Sequence, residues 1–124
     1  MLFRSLAAAR EAFPGARLVA VFQPHLYSRT QQLAKEFGRS LLGADSAWVT
    51  DVYAAREEPI PGVSGELVVE AARASGHRNV GYVTHWRELP PVLAQSMREG
   101  EVVLTMGAGD VFKLGQQLAA EGAA

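Results

Sequence analysis

Short β-rich runs alternate with helical stretches along the whole chain, and this alternation constrains the fold more than any other feature. Each run has about the length of a buried strand and is nearly continuous in Val, Leu, Ala and aromatic residues. Continuous apolar strands are typical of a parallel sheet that is covered on both faces. The four predicted strands are Arg17–Gln23, Ala47–Val52, Asn79–Thr84 and Glu101–Met106.

Helical patterns fill the intervals between these strands. After the first strand, Leu33, Phe37 and Leu41 recur at helical spacing, and Ser28, three residues before Gln31, predicts a capping box. The predicted helices are Leu6–Phe13, Thr30–Leu42, Glu66–Ala74, a helix with Pro90 and Pro91 in its first turn that runs to Arg98, and Val111–Ala120. The order αβαβαβαβα predicts a three-layer α/β fold with a mainly parallel sheet, right-handed crossovers and helices on both faces.

The composition excludes several classes of protein. The chain has 124 residues, the usual length of one domain. It has no cysteine, which excludes disulfide scaffolds, cysteine-ligated zinc, iron–sulfur clusters and thiol nucleophiles. A net charge of −1 does not indicate binding to nucleic acid or to an anionic membrane. Without a long apolar run or a secretory signal, we expect a cytoplasmic protein.

Polar residues are concentrated where the first predicted strand meets its helix. His25, Tyr27, Ser28, Arg29 and Thr30 lie within six positions. A helix N-terminus offers free N–H groups and a positive dipole end, and Arg29 adds a guanidinium that fits a carboxylate or phosphate. From these residues alone, an anion site and an ordinary capped turn are equally good interpretations.

A long irregular stretch, Tyr53–Gly65, follows the second predicted strand. Loops at the carboxyl ends of strands bind ligands in open α/β sheets. Asp51, at the end of that strand, is therefore a candidate ligand contact. Arg56 and Glu57 are more simply explained as a surface ion pair, which contributes little to stability.

The turn Thr105–Asp110 contains a Gly-x-Gly pair, Gly107 and Gly109, between a strand and a helix. The dinucleotide motif fits poorly, because its third glycine falls at Phe112 and no ribose-binding acid can follow. A tight turn is slightly favoured over phosphate binding.

His77 and His85 have no partner at metal-ligand spacing, so no metal site is predicted. Ser28 does not lie in the Gly-x-Ser-x-Gly motif of hydrolases, so no catalytic residue is predicted.

Three motifs in this order and spacing resemble the C-terminal domain of the Mur ligase family, the ligases of peptidoglycan synthesis. They are VFQPHLYSRT, DVYAAREEPIPGVSG and TMGAGD, and the resemblance covers about residues 7–121. The first two motifs are specific, and they are most similar to the branch of the family that joins L-alanine to UDP-N-acetylmuramate. The Gly-Ala-Gly-Asp turn is less specific.

The resemblance implies a Rossmann-like C-terminal domain of a three-domain, ATP-dependent ligase. Such enzymes use ATP and magnesium to convert the muramoyl carboxylate to an acyl phosphate, which the amino group of L-alanine attacks. The C-terminal domain closes the site over ATP and helps to bind the amino acid. The implied partners are UDP-N-acetylmuramate, L-alanine, ATP and the central ligase domain in cis.

The family motifs also imply roles for individual residues. Arg29 would contact the alanine carboxylate and His25 would orient substrate. Leu26 departs from the basic residue of many members, and Ala54 from a common proline. The implied substrate-binding residues are His25, Tyr27, Ser28, Arg29, Asp51 and Tyr53. Nucleotide-binding or cleft-lining roles are implied for Arg56, Glu57, Gly107, Gly109 and Asp110.

Several family elements lie upstream of the matching region and are absent from this sequence. They are the UDP-binding domain, the P-loop, the magnesium ligands and an Asp-Tyr-Gly-His-His-Pro strand segment. We therefore expect residues 1–124 to be one N-terminally truncated domain with a candidate non-native segment at residues 1–5, an open sheet edge and no activity alone. The alternative is a non-catalytic, flavodoxin-like module that binds a small anion or a protein.

Overall fold

The alternating sequence pattern folds as alternating strands and helices in the computed structural model. The model describes residues 2–107 and 109–122, with side chains at 5–107 and 109–118. The elements are α1 (Leu2–Ala12), β1 (Arg17–Gln23), α2 (Tyr27–Ser40), β2 (Ser46–Val49), α3 (Glu66–Ala74), β3 (Val80–Tyr82), α4 (Leu89–Ser96), β4 (Glu101–Gly107) and α5 (Phe112–Gly122). Short 3₁₀ turns occupy Leu41–Gly43 and Trp86–Glu88. The predicted element order is confirmed.

The four strands form one parallel sheet in the order β3-β2-β1-β4. Strand β1 lies inside the sheet and is buried from Leu18 to Gln23, which explains its uninterrupted apolar sequence. Strand β4 lies at one edge, and its residues Glu101–Met106 are all half-buried despite their apolar character. The chain adds β2 and β3 on one side of β1 and then crosses to add β4 on the other. The sheet therefore has a topological switch point between β1 and β4.

Helices cover both faces of the sheet, as predicted. One core joins α1, α2 and α3 to one face of β1 through Leu6, Phe37 and Val68 against Phe22. The second core joins α4 and α5 to the opposite face, where Leu93 and Leu114 pack with Val19 and Val21. These residues form two separate apolar layers, so the three-layer α/β expectation is confirmed.

Several predicted boundaries were wrong. Strand β2 runs Ser46–Val49 rather than Ala47–Val52, although the N–H of Thr50 still donates to the Phe22 carbonyl at 2.9 Å. Beyond it, the Asp51 carboxylate accepts the N–H of Val52, which competes with regular strand pairing. Strand β3 is shorter than Asn79–Thr84 and gives way to a turn in which His85 Nδ1 accepts the N–H of Arg87. The helix bounds also differ. Helix α1 begins earlier, α2 runs Tyr27–Ser40 instead of Thr30–Leu42, α4 ends at Ser96, and α5 runs Phe112–Gly122.

Helices α2 and α3 cross in close contact at Gly38. A Cβ atom there would lie 2.5 Å from the backbone nitrogen of Ala72 and 2.7 Å from the Cβ of Ala71. Backbone atoms cannot move aside as a flexible side chain would. Glycine is therefore retained inside this helix despite its low helix propensity.

We predict that Gly38→Ala destabilises the chain by about 2 kcal/mol, because the overpacking cost exceeds the gain in helix propensity. Gly115 is a matched control in α5, where a Cβ would meet its nearest atoms only at 3.8 Å. Gly115→Ala should stabilise the chain by up to about 1 kcal/mol. Urea unfolding measures the change in the free energy of unfolding for each variant. An increase for Gly38→Ala would contradict the close contact between α2 and α3.

Candidate functional site

The polar motifs of the sequence meet at the carboxyl ends of the parallel strands. Gln23 ends β1, Asp51 follows β2 by two residues, and Gly107 ends β4. In register, Gln23 lies beside Gly107. Ligands of open α/β sheets bind outside the carboxyl ends, at the switch point of the strand order. The site is therefore expected at this edge, between β1 and β4.

His25 and Tyr53 are brought together just beyond the strands. They form an isolated parallel bridge, in which the N–H of Leu26 donates to the Tyr53 carbonyl at 2.9 Å and the N–H of Tyr53 donates to the Pro24 carbonyl at 2.8 Å. Their rings stack with centroids 5.9 Å apart. Tyr53 remains 42% exposed, so this stack presents an aromatic surface to solvent.

Leu26 begins helix α2 with an unusual backbone conformation. Its φ is +66° and its ψ is 134°, which L-residues rarely adopt. Thr30, fully buried, donates to the Leu26 carbonyl through its N–H at 3.0 Å and its hydroxyl at 2.8 Å. These two bonds hold the turn and place Tyr27, Ser28 and Arg29 in the first turn of the helix.

The start of α2 is capped by a residue from the long loop. The N–H of Ser28 donates to Oε1 of Glu57 at 2.9 Å, and the Ser28 hydroxyl donates to its Oε2. The predicted capping box of Ser28 and Gln31 was therefore wrong, because Ser28 lies inside the helix and the cap comes from the loop. Glu57 bonds Ser28, and neither ion pair of the described residues joins it to the exposed Arg56.

The Ser28 hydroxyl and N–H hold the pKa of the Glu57 carboxyl below its ordinary value. A carboxyl whose pKa is lower in the folded state contributes stability above its unfolded pKa and loses it as the pH falls through the folded pKa. The cap therefore stabilises the native chain at neutral pH and not in acid. It also supplies a negative charge to the helix end that was predicted to attract anions.

We predict that Glu57→Gln lowers the urea midpoint of unfolding at pH 7, because the charged acceptor at the helix start is lost. The two midpoints should converge as the pH falls through the lowered pKa of the Glu57 carboxyl, because the protonated side chain no longer supplies the charge. Glu58→Gln, an exposed neighbour in the same loop, is the matched control and should change neither midpoint. A difference that persists unchanged in acid would contradict the charged cap.

Asp51 closes the long loop from inside. Its Oδ1 accepts the N–H of Val52 at 2.9 Å and that of Gly65 at 3.2 Å, so it joins the two ends of the loop. A Cβ on Gly65 would lie 2.1 Å from the Thr50 carbonyl oxygen, so glycine is required for this approach. Burial, followed by the charge of Asp51, raises the pKa of Tyr82 to about 12. The carboxylate thus has a structural role at the site.

We predict that Asp51→Ala destabilises the chain by about 2 kcal/mol, since two backbone N–H groups lose a charged acceptor. Asp51→Asn keeps an acceptor oxygen in the same place and should cost less than half as much. Thermal unfolding monitored by circular dichroism measures both variants. Equal losses would indicate that charge, rather than the hydrogen bonds, holds the loop.

The Gly-x-Gly turn packs directly against β1 and Tyr53. Gly107 has φ +133°, and a Cβ there would lie 2.3 Å from the Gln23 carbonyl oxygen. Gly109 has φ +79°, and its Cβ would lie 2.8 Å from Cδ2 of Tyr53. Asp110 Oδ1 accepts the indole N–H of Trp86 at 3.1 Å, which holds the pKa of Asp110 below its ordinary value. The structure therefore supports the tight-turn interpretation of these glycines.

A cavity of about 570 Å³ opens among these loops. We call it the carboxyl-end cavity. It is lined by Gln23, Asp51, Val52, Tyr53, Ala54, Thr84, His85, Gly109 and Asp110.

The carboxyl-end cavity contains some of the predicted site residues and not others. Four of them line it, namely Asp51, Tyr53, Gly109 and Asp110. The α2 residues Tyr27, Ser28 and Arg29 lie outside the lining, as do His25, Arg56, Glu57 and Gly107. Gln23 belongs to the first predicted motif but was assigned no role of its own, and the sequence analysis missed Thr84 and His85 as lining residues. Their position at or just after the carboxyl ends of β1 and β3 was the signal that could have found them.

The described residues bear on two further expectations. Among residues 2–107 and 109–122, no group of three or more His, Cys, Asp or Glu residues could hold a metal ion. Within the same residues, no helix is both long and apolar enough to cross a bilayer.

The fold defines a Rossmann-like α/β domain, a class of domain that binds its ligands at the carboxyl ends of the strands. A family model described as "Mur ligase, glutamate ligase domain" matches residues 2–109. The chain therefore belongs to the Mur ligase family, and the resemblance found in the sequence is confirmed.

Two similar curated relatives carry the same enzyme name. A UDP-N-acetylmuramate–L-alanine ligase from Streptomyces avermitilis is 53% identical over 91% of this chain and 24% of its own length. A ligase of the same name from Trichlorobacter lovleyi is 46% identical over 92% of this chain and 25% of its own length. The chain thus spans about a quarter of the length of these relatives.

Solved structures agree with this assignment. The crystal structure of a UDP-N-acetylmuramate–alanine ligase from Thermotoga maritima superposes with a TM-score of 0.76 at 25% identity, covering 98% of this chain and 24% of that chain. A murein peptide ligase from Psychrobacter arcticus superposes with a TM-score of 0.73 at 16% identity, covering 96% of this chain and 24% of that chain. The second likeness concerns the fold alone.

Proposed function

We propose that this chain is the C-terminal domain of a UDP-N-acetylmuramate–L-alanine ligase that acts in the bacterial cytoplasm. The observation that carries the proposal is the 53% identity to a ligase of that name across 91% of the chain. The placement of the family motifs around one edge of the sheet is consistent with it. The domain would help to bind the amino acid and would close the active site, while other domains supply the remaining machinery.

The proposed reaction forms an amide in two steps. The muramoyl carboxylate first takes the terminal phosphoryl group of ATP, which yields an acyl phosphate and ADP. The amino group of L-alanine then attacks the carbonyl carbon, the bond to phosphate breaks, and a proton leaves the nitrogen. Positioning of the amine contributes strongly to such a step, because a bound nucleophile reacts as if it were highly concentrated. We assign ATP and its magnesium ion mainly to the rest of the ligase.

We propose that Arg29 contacts the carboxylate of L-alanine. It is exposed in the first turn of α2, and neither of the ion pairs among the described residues uses it. A guanidinium can bind a carboxylate through two parallel hydrogen bonds. Because Glu57 already accepts the N–H of Ser28, recognition of an anion here falls mainly to the Arg29 side chain. The stacked His25 and Tyr53 rings would orient the substrate beside it.

A chimera tests this proposal. This chain would replace the matching segment of the Streptomyces avermitilis relative, and ADP release would be measured with UDP-N-acetylmuramate and L-alanine. We predict activity in the chimera and none in the isolated chain, which lacks the phosphoryl-transfer machinery. A folded but inactive chimera would favour the non-catalytic binding module instead.

In the active chimera, Arg29→Ala should raise the KM for L-alanine by about 10- to 100-fold, the effect of losing a charge-assisted bidentate contact. The KM for ATP should change by less than about threefold, since that substrate would not depend on the contact. Arg39→Ala, an exposed arginine at the other end of α2, is the matched control. An unchanged KM for alanine in the Arg29 variant would remove it from this role.

A further inference from the structure

Gln23 has a buried acceptor atom that the fold leaves unpaired. The residue ends β1 and is only 7% exposed. Its side-chain oxygen Oε1 is enclosed, and no group of the described residues donates a hydrogen bond to it. Buried polar atoms are nearly always paired in native proteins, and an unpaired one is destabilising. Such an atom is typical of a position where a ligand supplies the missing partner.

The unpaired oxygen lies where the topology predicts a ligand. Gln23 is paired in register with Gly107 at the switch point between β1 and β4, and its side chain lines the carboxyl-end cavity. A Cβ on Gly109 would lie 2.9 Å from Oε1. The oxygen is thus in the cavity wall next to the Gly-x-Gly turn. Glycines at 107 and 109, both at positive φ, allow the backbone of this turn to approach Gln23 and Tyr53 closely.

The lining of the carboxyl-end cavity selects the kind of group that fits. It contains the carboxylates of Asp51 and Asp110 and the amide of Gln23, and it contains no lysine or arginine. One oxygen of each carboxylate is already bonded within the chain, by Gly65 and by Trp86 respectively. Acceptors and negative charge favour a hydrogen-bond donor, above all a cationic one, and disfavour phosphate and carboxylate groups.

We propose that the carboxyl-end cavity binds the amino group of the incoming amino acid, with Gln23 Oε1 accepting one of its N–H bonds. The inference rests on the proposed function, and it adds a binding residue for the opposite end of the substrate from the one assigned to Arg29. An amide oxygen accepts from a neutral amine as well as from an ammonium group, so Gln23 keeps its contact when the nitrogen becomes nucleophilic.

The test uses the ¹⁵N-labelled chain and the NMR signals of the Gln23 side-chain amide, assigned by their loss in Gln23→Met. L-Alaninamide carries the amino group without a carboxylate, propionate carries the carboxylate without an amino group, and ATP carries the nucleotide. We expect L-alanine and L-alaninamide to shift the Gln23 signals and propionate and ATP to leave them unchanged. No shift with L-alaninamide up to its solubility limit, or a shift with propionate or ATP alone, would overturn the proposal.

Two substitutions separate binding from folding. Gln23→Met removes the unpaired oxygen at nearly constant volume, so it should raise the thermal midpoint while weakening L-alaninamide binding at least tenfold. A residue with a purely structural role would not show this combination, and unchanged binding overturns the proposal.

Gln23→Glu keeps an acceptor and should retain binding within about threefold. If the Met variant does not fold, loss of binding in a folded Glu variant overturns the proposal. Gln116→Met, on the exposed surface of α5, is the control.

The two proposals can fail separately. An active chimera, together with Gln23 amide signals that do not shift on addition of L-alaninamide, would overturn the amino-group site and leave the ligase assignment intact. Shifts with L-alaninamide together with a folded, inactive chimera would overturn the ligase assignment and leave the chemistry of the cavity intact.

Discussion

The packing of β1 within the sheet is the interaction on which the rest of the structure depends. The strand is hydrogen-bonded to β2 along one edge and to β4 along the other, and its faces belong to two different cores. Every residue from Leu18 onward is buried, so the strand has little freedom to shift in register. Its carboxyl end therefore fixes the position of Gln23, of the His25–Tyr53 bridge and of the start of α2.

Three carboxylates hold the surface loops in place through hydrogen bonds. Asp51 bonds both ends of the long loop, Glu57 bonds that loop to the first turn of α2, and Asp110 bonds the Gly-x-Gly turn to Trp86. Hydrogen bonds to charged acceptors are stronger than those between neutral groups. The loops around the carboxyl-end cavity are thus held at a few points, and the segments between those points remain available for ligands.

The local parts of this architecture were predictable, and the long-range contacts were not. Strand Arg17–Gln23 and helix Glu66–Ala74 occur with their predicted bounds, because continuous apolar runs and helical periodicity are local signals. The cap of α2 was missed because its acceptor, Glu57, lies 29 residues from Ser28. Gln23 and His85 share a cavity because β1 and β3 are parallel strands of one sheet, so their carboxyl ends lie at the same edge. The first contact is not encoded in spacing along the chain, and the second could be found only from the predicted carboxyl ends of the strands.

The backbone at Leu26 determines what a substitution at this position costs the fold. Its positive φ is imposed by the bridge to Tyr53 and by the two bonds from Thr30 to its carbonyl, none of which involves the leucine side chain. The conformational cost is therefore about the same for any residue with a Cβ atom. Replacement of Leu26 by a basic residue should therefore leave the stability of this turn unchanged. Such a replacement would place a positive charge at the start of α2, beside Arg29, without a conformational cost to the fold.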